Sequence, residues 1–234
     1  MLIFISPAKT FSKTPQISHQ KPIFYKESIV LQQKLTSLSK KQLQSKMKLS
    51  NSLTDTVYDY YQHFDHDHHE AITTYFGQVF KSLNYLRLNE QEKAYLNQHL
   101  MIISGLYGLV KPYDGIALYR LEMQDQTIKN LYDYWSPKIY QYLNQHHSNE
   151  LILSLCSKEY EKVLENTPHI TIDFSSNDKL HSMALKTLRG HFLRALATHQ
   201  VHDIESLKKL NVDGFSYHEN LSTSTHLIFW RDAL

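Results

Sequence analysis

Cysteine, glycine and long apolar runs are all scarce in this chain of 234 residues, and each shortage excludes something. Cys156 is the single cysteine, so no intrachain disulfide can form, which suits a reducing compartment. The uncharged stretch at residues 100–110 is shorter than the roughly 18 residues of a membrane span, and serine and glycine interrupt it. The opening MLIFISPAKT lacks the basic start and long apolar core of a secretory signal. We therefore expect a cytoplasmic protein with no membrane partner.

Several common nucleotide and metal motifs are also missing. The sequence contains no GxxxxGK[ST] loop, GxGxxG turn, CxxC pair, HExxH helix or GxSxG elbow. These absences exclude P-loop nucleotidases, simple Rossmann dehydrogenases, zinc ribbons, zincins and common serine hydrolases. We expect no cofactor.

Charge is unevenly distributed along the chain. The formal net charge is +2, but residues 1–54 hold nine lysines against one glutamate, and the remainder is acidic. The cationic first third can bind nucleic acid or pack against the acidic remainder of its own fold. Either arrangement reduces the repulsion among its lysines. Arginine is much rarer than lysine. Arginine is then expected mainly where lysine cannot replace its planar five-donor fork, and Arg120 and Arg189 are candidates for such positions.

Apolar periodicity alternates between strand and helix patterns. Strands are predicted at residues 2–6, 100–103, 151–155, 170–174 and 227–230. Helices are predicted as three short elements within residues 25–64, then at 89–99, 131–143, 158–164 and 186–198, whereas 71–80 fits either structure. The alternation indicates an α/β fold over residues 1–234, as a single domain with a central sheet flanked by helices and a helical segment near the N-terminus.

Seven polar residues lie in loops that follow predicted strands or in nearby segments: Lys9, Tyr107, Arg120, Glu122, Ser157, Glu159 and Arg189. The carboxyl ends of strands form the usual ligand crevice of an α/β sheet, so we expect these residues to share one cleft. In such a cleft Arg120 or Arg189 would hold an anion, and Glu122 or Glu159 would act as a general base. Ser157 is a third candidate for catalysis. The alternative is that each residue caps a helix or satisfies a loop carbonyl.

The segments that carry these residues resemble motifs of the YaaA peroxide-stress family. They are ISPAKT at 5–10, SGLYGLVKPYDGIALYRLEM at 104–123, LYDYW at 131–135, LSLCSKEY at 153–160 and LRG at 188–190. The similarity continues to LIFWR at 227–231, so it covers essentially the whole chain.

The resemblance implies a bacterial protein of mixed α/β architecture that binds double-stranded DNA through a positively charged cleft. Because the sequence shows a cationic surface but no recognition helix for reading bases, we expect this binding to be largely without sequence preference. It also implies a role in keeping unincorporated iron low during hydrogen peroxide stress. Carried over motif by motif, the seven residues named above would line the cleft. The alternative is an enzyme acting on a nucleobase or a nucleotide-like small molecule there, because phosphate binding alone does not need two carboxylates.

Two further features invite a redox or metal interpretation. The run HFDHDHH at 63–69 contains side chains that zinc and iron accept, but a polar run after a helix is typical of a solvated loop, so no metal site is predicted. Cys156 could sense peroxide if a nearby cation lowered the pKa of its thiol. A cysteine at the end of a buried strand is more often a packing residue.

Overall fold

A computed structural model describes residues 1–64 and 68–232, and these residues form ten strands and ten α-helices. The strands are β1 Leu2–Ile5, β2 His69–Glu70, β3 Leu100–Ser104, β4 Gly108–Val110, β5 Gly115–Ile116, β6 Ile152–Ser154, β7 Ile170–Ser176, β8 Asn211–Val212, β9 Phe215–Tyr217 and β10 His226–Arg231. The helices are α1 Tyr25–Thr36, α2 Lys40–Met47, α3 Asn51–Gln62, α4 Ala71–Thr74, α5 Gln78–Leu83, α6 Glu90–His99, α7 Leu131–His146, α8 Lys158–Glu161, α9 Ser182–Thr198 and α10 Ile204–Lys208.

Eight strands form one sheet in the order β4-β3-β1-β6-β7-β10-β9-β8. The five strands β3, β1, β6, β7 and β10 are parallel, whereas β4, β9 and β8 run antiparallel to their neighbours. Strands β2 and β5 pair separately. Numbered along the chain, the parallel strands have the order 2-1-3-4-5 of flavodoxin-like doubly wound sheets. The predicted α/β class with a central sheet is confirmed.

Burial of the sheet follows from the composition of its strands. All residues of β1 and β3 are buried, as expected for apolar strands covered on both faces. Strands β7 and β10 alternate instead. Phe174 and Phe229 pack on Phe192 of α9, with ring centroids 5.5 and 4.7 Å away. Asp173 and Ile228, on the opposite face, are partly exposed.

The three predicted helices near the N-terminus are confirmed as α1, α2 and α3. Ser39 and Gln42 form a capping box at α2, and the Ser50 hydroxyl accepts a hydrogen bond from the first turn of α3. The hydroxyl of Tyr61, near the end of α3, donates to the carbonyl of Arg120. This contact ties the helical segment to the loop that carries Arg120.

The ambiguous segment 71–80 contains two helices, α4 and α5. Tyr75 lies between them in an extended conformation, with φ −66° and ψ 131°. Helix α9 begins at Ser182, earlier than predicted, because Nδ1 of His181 accepts a hydrogen bond of 3.2 Å from the backbone N–H of Ala184. Histidine is not among the usual N-cap residues, so the sequence gives no clear signal for this start.

Strands β8 and β9 form a hairpin that the apolar pattern does not predict. Each strand is too short to show a period of two. The turn between them is Asp213-Gly214, and both residues have positive φ, at 52° and 83°. Asp-Gly with two positive φ angles is typical of a type I′ hairpin turn. The dipeptide is therefore the one sequence feature that indicates this hairpin.

Candidate functional site

The order of the parallel strands reverses between β1 and β6. From β1 the chain continues to β3 on one side, whereas from β6 it continues to β7 on the other. In doubly wound sheets this reversal leaves a crevice at the carboxyl ends of the two strands, and ligands bind there. We call the region formed by residues 6–9, 120–124 and 155–159 the switch-point crevice.

Two cations and a carboxylate meet in this crevice. Nζ of Lys9 lies 2.5 Å from Oε2 of Glu122, and Nη2 of Arg120 lies 3.4 Å from Oε1 of the same carboxylate. The side chains of Arg120 and Glu122 are about three-quarters buried, whereas the Lys9 side chain is 58% exposed. Glu122 therefore holds one cation inside the crevice and one at its rim.

A buried polar cluster positions the loop that carries Arg120 and Glu122. The hydroxyl of Tyr119 lies 2.7 Å from both the Ser104 and the Tyr75 hydroxyls, and Trp135 donates to the Gly105 carbonyl at 2.9 Å. A Cβ atom at Gly105 would lie 2.4 Å from the carbonyl oxygen of Leu121. Only glycine allows this close approach, which holds Leu121 against the turn that follows β3.

Glu159 is the second carboxylate of the crevice. Its Oε1 accepts a hydrogen bond of 3.2 Å from the backbone N–H of Gln124. Burial raises the pKa of Glu159 and the neighbouring Glu122 raises it further, whereas the Gln124 N–H and Lys9 oppose the rise. A carboxyl group with a raised pKa beside a second carboxylate is suited to exchange a proton with a ligand.

Ser6 and Ser157 join the ends of β1 and β6. The Ser6 hydroxyl oxygen accepts a hydrogen bond of 2.9 Å from the backbone N–H of Ser157, and the two hydroxyl oxygens lie 3.2 Å apart. The Ser157 hydroxyl does not cap α8, although Ser157 occupies the N-cap position. Its hydroxyl contacts the Ser6 hydroxyl and not the first turn of the helix.

The charge of Arg189 acts on the buried thiol of Cys156. Burial raises the pKa of the Cys156 thiol to about 12 and nearby Glu161 adds to the rise, whereas the Arg189 guanidinium opposes it. Nε of Arg189 is buried and has no hydrogen-bond partner among residues 1–64 and 68–232. Gly190 fixes this part of α9 against α5, since a Cβ there would lie 2.3 Å from the Val79 carbonyl oxygen.

Tyr107 does not line the crevice. Its side chain is fully buried, its hydroxyl accepts a hydrogen bond of 3.0 Å from the Ala117 N–H, and its ring packs edge-on against Tyr119. The turn between β3 and β4 directs the side chain into the core, although the residue follows a strand. A side chain with no exposed surface supports the loop and is not in a position to bind DNA.

The structure brings most of the predicted site together. Lys9, Arg120 and Glu122 are in contact, and the charges of Lys9 and Glu122 act on Glu159. Ser157 lies two residues before Glu159, at the N-terminus of α8. Arg189 is linked to this group through the effect of its charge on the Cys156 thiol.

Sequence reasoning missed Ser6 and the backbone N–H of Gln124. Ser6 directly follows β1, so the argument that selected Lys9 also applies to it. No sequence pattern marks a backbone N–H that binds a carboxylate 35 positions away.

The histidine run is only partly described, since residues 65–67 lie outside the described residues. His69 belongs to β2, where it pairs with Ile116 of β5. Within the described ranges no group of three or more His, Cys, Asp or Glu side chains is arranged to hold a metal ion. None of the helices in that part of the chain has the length and apolar character that a membrane crossing requires.

The fold and the crevice define a doubly wound α/β protein with a site of mixed charge at its switch point. The sequence profile of the peroxide stress protein YaaA family matches residues 1–221, and the chain belongs to this family. A UPF0246 protein of Crocosphaera subtropica is 33% identical across 98% of this chain and 99% of its own length. UPF0246 proteins of Clostridioides difficile and Finegoldia magna are 32% and 33% identical, again over nearly full length. The resemblance inferred from the motifs is confirmed.

Proposed function

We propose that this protein binds double-stranded DNA with little sequence preference and thereby contributes to protection during hydrogen peroxide stress. The supporting observation is the surface of the first third of the chain, where all nine lysines are exposed. Within the described ranges, the ion pairs of these lysines are Lys9–Glu122 and Lys40–Asp55. The other seven keep their charge available to an anionic partner.

Exposed lysines favour contact with phosphates over reading of bases. Lys34 on α1, and Lys41 and Lys46 on α2, are exposed point charges on flexible stems. Phosphate contacts give affinity and orientation, whereas sequence is read by fixed donors at base edges. The proposal therefore predicts similar affinity for unrelated duplexes and a steep dependence of that affinity on salt.

A titration tests duplex binding. Fluorescence anisotropy with several unrelated duplexes is measured for the wild type, for Lys41→Ala with Lys46→Ala, and for the control Lys209→Ala beyond α10. The loss of each lysine that contacts a phosphate should reduce the magnitude of the slope of log affinity against log salt by about 0.9. The control substitution should leave the slope unchanged. Absence of binding at low ionic strength would refute the proposal, and strong discrimination among the duplexes would refute its nonspecific mode.

The proposal includes a cellular role in limiting damage from unincorporated iron. Cells lacking the protein should show more chelatable iron by electron paramagnetic resonance, and more DNA lesions, after a peroxide challenge. The wild type and Lys209→Ala should restore both readouts, whereas the doubly substituted α2 variant should not reduce the lesions. If that variant protects DNA as well as the wild type, protection does not depend on these DNA-binding lysines.

A second candidate function is catalysis on a nucleotide or nucleobase. It is favoured by the two carboxylates, because Glu122 is paired with two cations whereas Glu159 has a raised pKa. Neighbouring carboxyl groups in such different environments commonly divide the roles of base and acid. Incubation with nucleotides followed by chromatography tests this function. Product formation that is lost in Glu159→Gln supports it, and no turnover of any nucleotide counts against it.

A further inference from the structure

We propose that a cavity beside α5 binds a small aromatic carboxylic acid, whose carboxylate pairs with Lys81 and whose ring packs beside Phe76. The cavity has a volume of about 300 Å³ and lies between residues 12–16 and residues 72–86. This volume is at the lower end of the range for small-molecule sites. The cavity shares no lining residue with the switch-point crevice, and the proposal does not depend on duplex binding.

Aromatic side chains form the buried wall of the cavity. Tyr75, Phe80 and Tyr85 line it and are buried. The Tyr75 hydroxyl lies 2.7 Å from the Tyr119 hydroxyl, and the Tyr85 hydroxyl donates to the Tyr113 hydroxyl at 2.9 Å. Because both hydroxyls already have partners within the protein, this wall favours an aromatic or apolar body over a polar one.

Two apolar side chains at the cavity are exposed. Phe76 is 47% exposed and Leu86 is 70% exposed, although both line the cavity. The backbone holds Phe76 in this position, since its N–H donates to the Thr10 carbonyl at 2.9 Å and its carbonyl accepts the Thr10 hydroxyl at 3.0 Å. A ligand in the cavity would cover apolar surface of both side chains, and burial of such surface is favourable.

Lys81 supplies one positive charge to the same cavity. Its Nζ lies 4.5 Å from the centroid of the Phe76 ring. Among residues 1–64 and 68–232 no carboxylate forms an ion pair with Lys81, and none of the described residues that line the cavity is acidic. One lysine balances the single charge of a carboxylate, whereas a phosphate monoester carries nearly two charges. The site therefore fits a carboxylate better than a phosphate.

Both ends of α5 are anchored, so the cavity wall is preorganised. At its start, a Cβ atom at Gly77 would lie 2.8 Å from the Cβ of Ala8, so the two backbones are closely packed. At its end, the Arg194 guanidinium donates to the carbonyls of Leu83 and Asn84, at 2.9 and 3.3 Å. A rigid wall reduces the entropy that is lost when a ligand binds.

An NMR titration of the isotope-labelled, full-length protein tests the site. The probes are benzoate, its uncharged analogue benzamide, and cyclohexanecarboxylate. We expect benzoate to shift the amide signals of residues 72–86. It should bind about fivefold more tightly than benzamide, which lacks the charge. Cyclohexanecarboxylate keeps the charge but lacks the aromatic ring, so it should bind about threefold more weakly than benzoate.

Substitutions separate the charge from the packing. Lys81→Gln should weaken benzoate binding about fivefold and change benzamide binding by less than about twofold. Phe76→Ala should weaken both ligands alike, because it removes packing surface and no charge. The matched control is Lys162→Gln, since this exposed lysine also lies over an aromatic ring, with Nζ 4.8 Å from the Tyr132 centroid. The control should leave both affinities unchanged. Urea midpoints show whether each variant is folded.

Three results would overturn the site. The first is an absence of shifts in residues 72–86 at benzoate concentrations up to about 20 mM. The second is equal affinity for benzoate and benzamide in the wild type. The third is benzoate binding that Lys81→Gln leaves unchanged while the variant is folded. If cyclohexanecarboxylate binds as tightly as benzoate, the assignment of an aromatic ligand is wrong.

Discussion

At the scale of single residues, the environment of Cys156 decides its chemistry. Cys156 is 4% exposed, and burial raises the pKa of its thiol to about 12. The Arg189 cation lowers the pKa but does not overcome burial and Glu161. The thiolate is the reactive form, so this cysteine is a packing residue at the end of a buried strand and is not suited to sense peroxide.

The folded protein should therefore resist thiol reagents. At about pH 7.5 the native chain is expected to take up almost no iodoacetamide within an hour-scale incubation, and to form no sulfenic acid with peroxide. The same chain unfolded in urea should be alkylated completely. Intact-mass spectrometry distinguishes the two. Stoichiometric alkylation of the native chain at the rate of the unfolded one would show that Cys156 is accessible and ionised.

Asp114 gives a prediction on pH. Burial raises the pKa of its carboxyl from 3.8 to about 6, although the carboxylate accepts the Lys111 N–H at 2.8 Å. The folded state then binds this proton more tightly than the unfolded chain. Protonation favours folding, so the free energy of unfolding contributed by Asp114 falls as pH rises from about 4 to about 6, by up to about 3 kcal/mol. Asp114→Asn keeps an acceptor for Lys111 and should lack this dependence.

Urea unfolding at several pH values measures the effect. The difference between Asp114→Asn and the wild type isolates the carboxyl from the other titrating groups. The variant should gain stability relative to the wild type as pH rises through this window, and the difference should be constant above it. A constant difference at all pH values would mean that Asp114 has an ordinary pKa in the folded state.

At the residue scale, sequence reasoning is strongest where topology determines position. It predicts that Lys9 and Glu159 lie at one edge of the sheet, because they follow the neighbouring parallel strands β1 and β6. Sequence reasoning has no such topological ground for Glu122, which follows β5 outside that sheet. It failed for Tyr107, because the direction in which a tight turn sends a side chain depends on packing against Tyr119 and not on position after a strand. Ser6 was missed although the same topological argument covers it.

At the scale of elements, fully apolar runs and capped helices were predictable, and short irregular elements were not. Strand β1 and helix α6 carry their signals within the element, as a buried apolar run and an Asn89–Glu92 capping box. Helix α4 has four residues, so it shows no full period. Its structure depends on tertiary contacts, which a single sequence does not display.

The packing of α5 on α9 gives a prediction for these two elements. In Gly190→Ala the new methyl group would meet the Val79 carbonyl oxygen and the Ser82 Cβ, at 2.3 and 2.6 Å. The helices must then separate. Overpacking of this kind costs about 1–3 kcal/mol, whereas the gain in helix propensity is about 1 kcal/mol. We expect a net loss of up to about 2 kcal/mol in the free energy of unfolding.

The matched control is Ser182→Ala, an exposed position in the first turn of the same helix. It should change stability by no more than about 0.5 kcal/mol. Thermal and urea unfolding of the three proteins measure both effects. Equal stability of Gly190→Ala and Ser182→Ala would show that α5 can move away from α9 without cost, and that the position of Arg189 is not fixed by this contact.

At the scale of the whole molecule, charge separates the lysine-rich first third from the acidic remainder. The sequence alone left two uses for the excess of lysine, binding of nucleic acid or cohesion with the rest of the fold. Among the described residues, the first third makes its lysine ion pairs with Glu122 and Asp55. Exposed pairs contribute at most about 1 kcal/mol each. The stabilisation from these two ion pairs is too small to explain why the first third carries nine lysines. The separation of charge is better explained by binding of an external anion.

Salt should therefore affect DNA affinity and stability differently. If about four lysines contact phosphates, raising sodium chloride from about 50 to about 200 mM should lower duplex affinity on the order of 100-fold. Over the same range the urea midpoint should change little, because few surface pairs are screened. Urea is the right denaturant because it adds no ions. Anisotropy and urea unfolding on the same protein sample measure the two responses. A large fall in the urea midpoint with salt, with little loss of DNA affinity, would show that the lysines serve the cohesion of the fold.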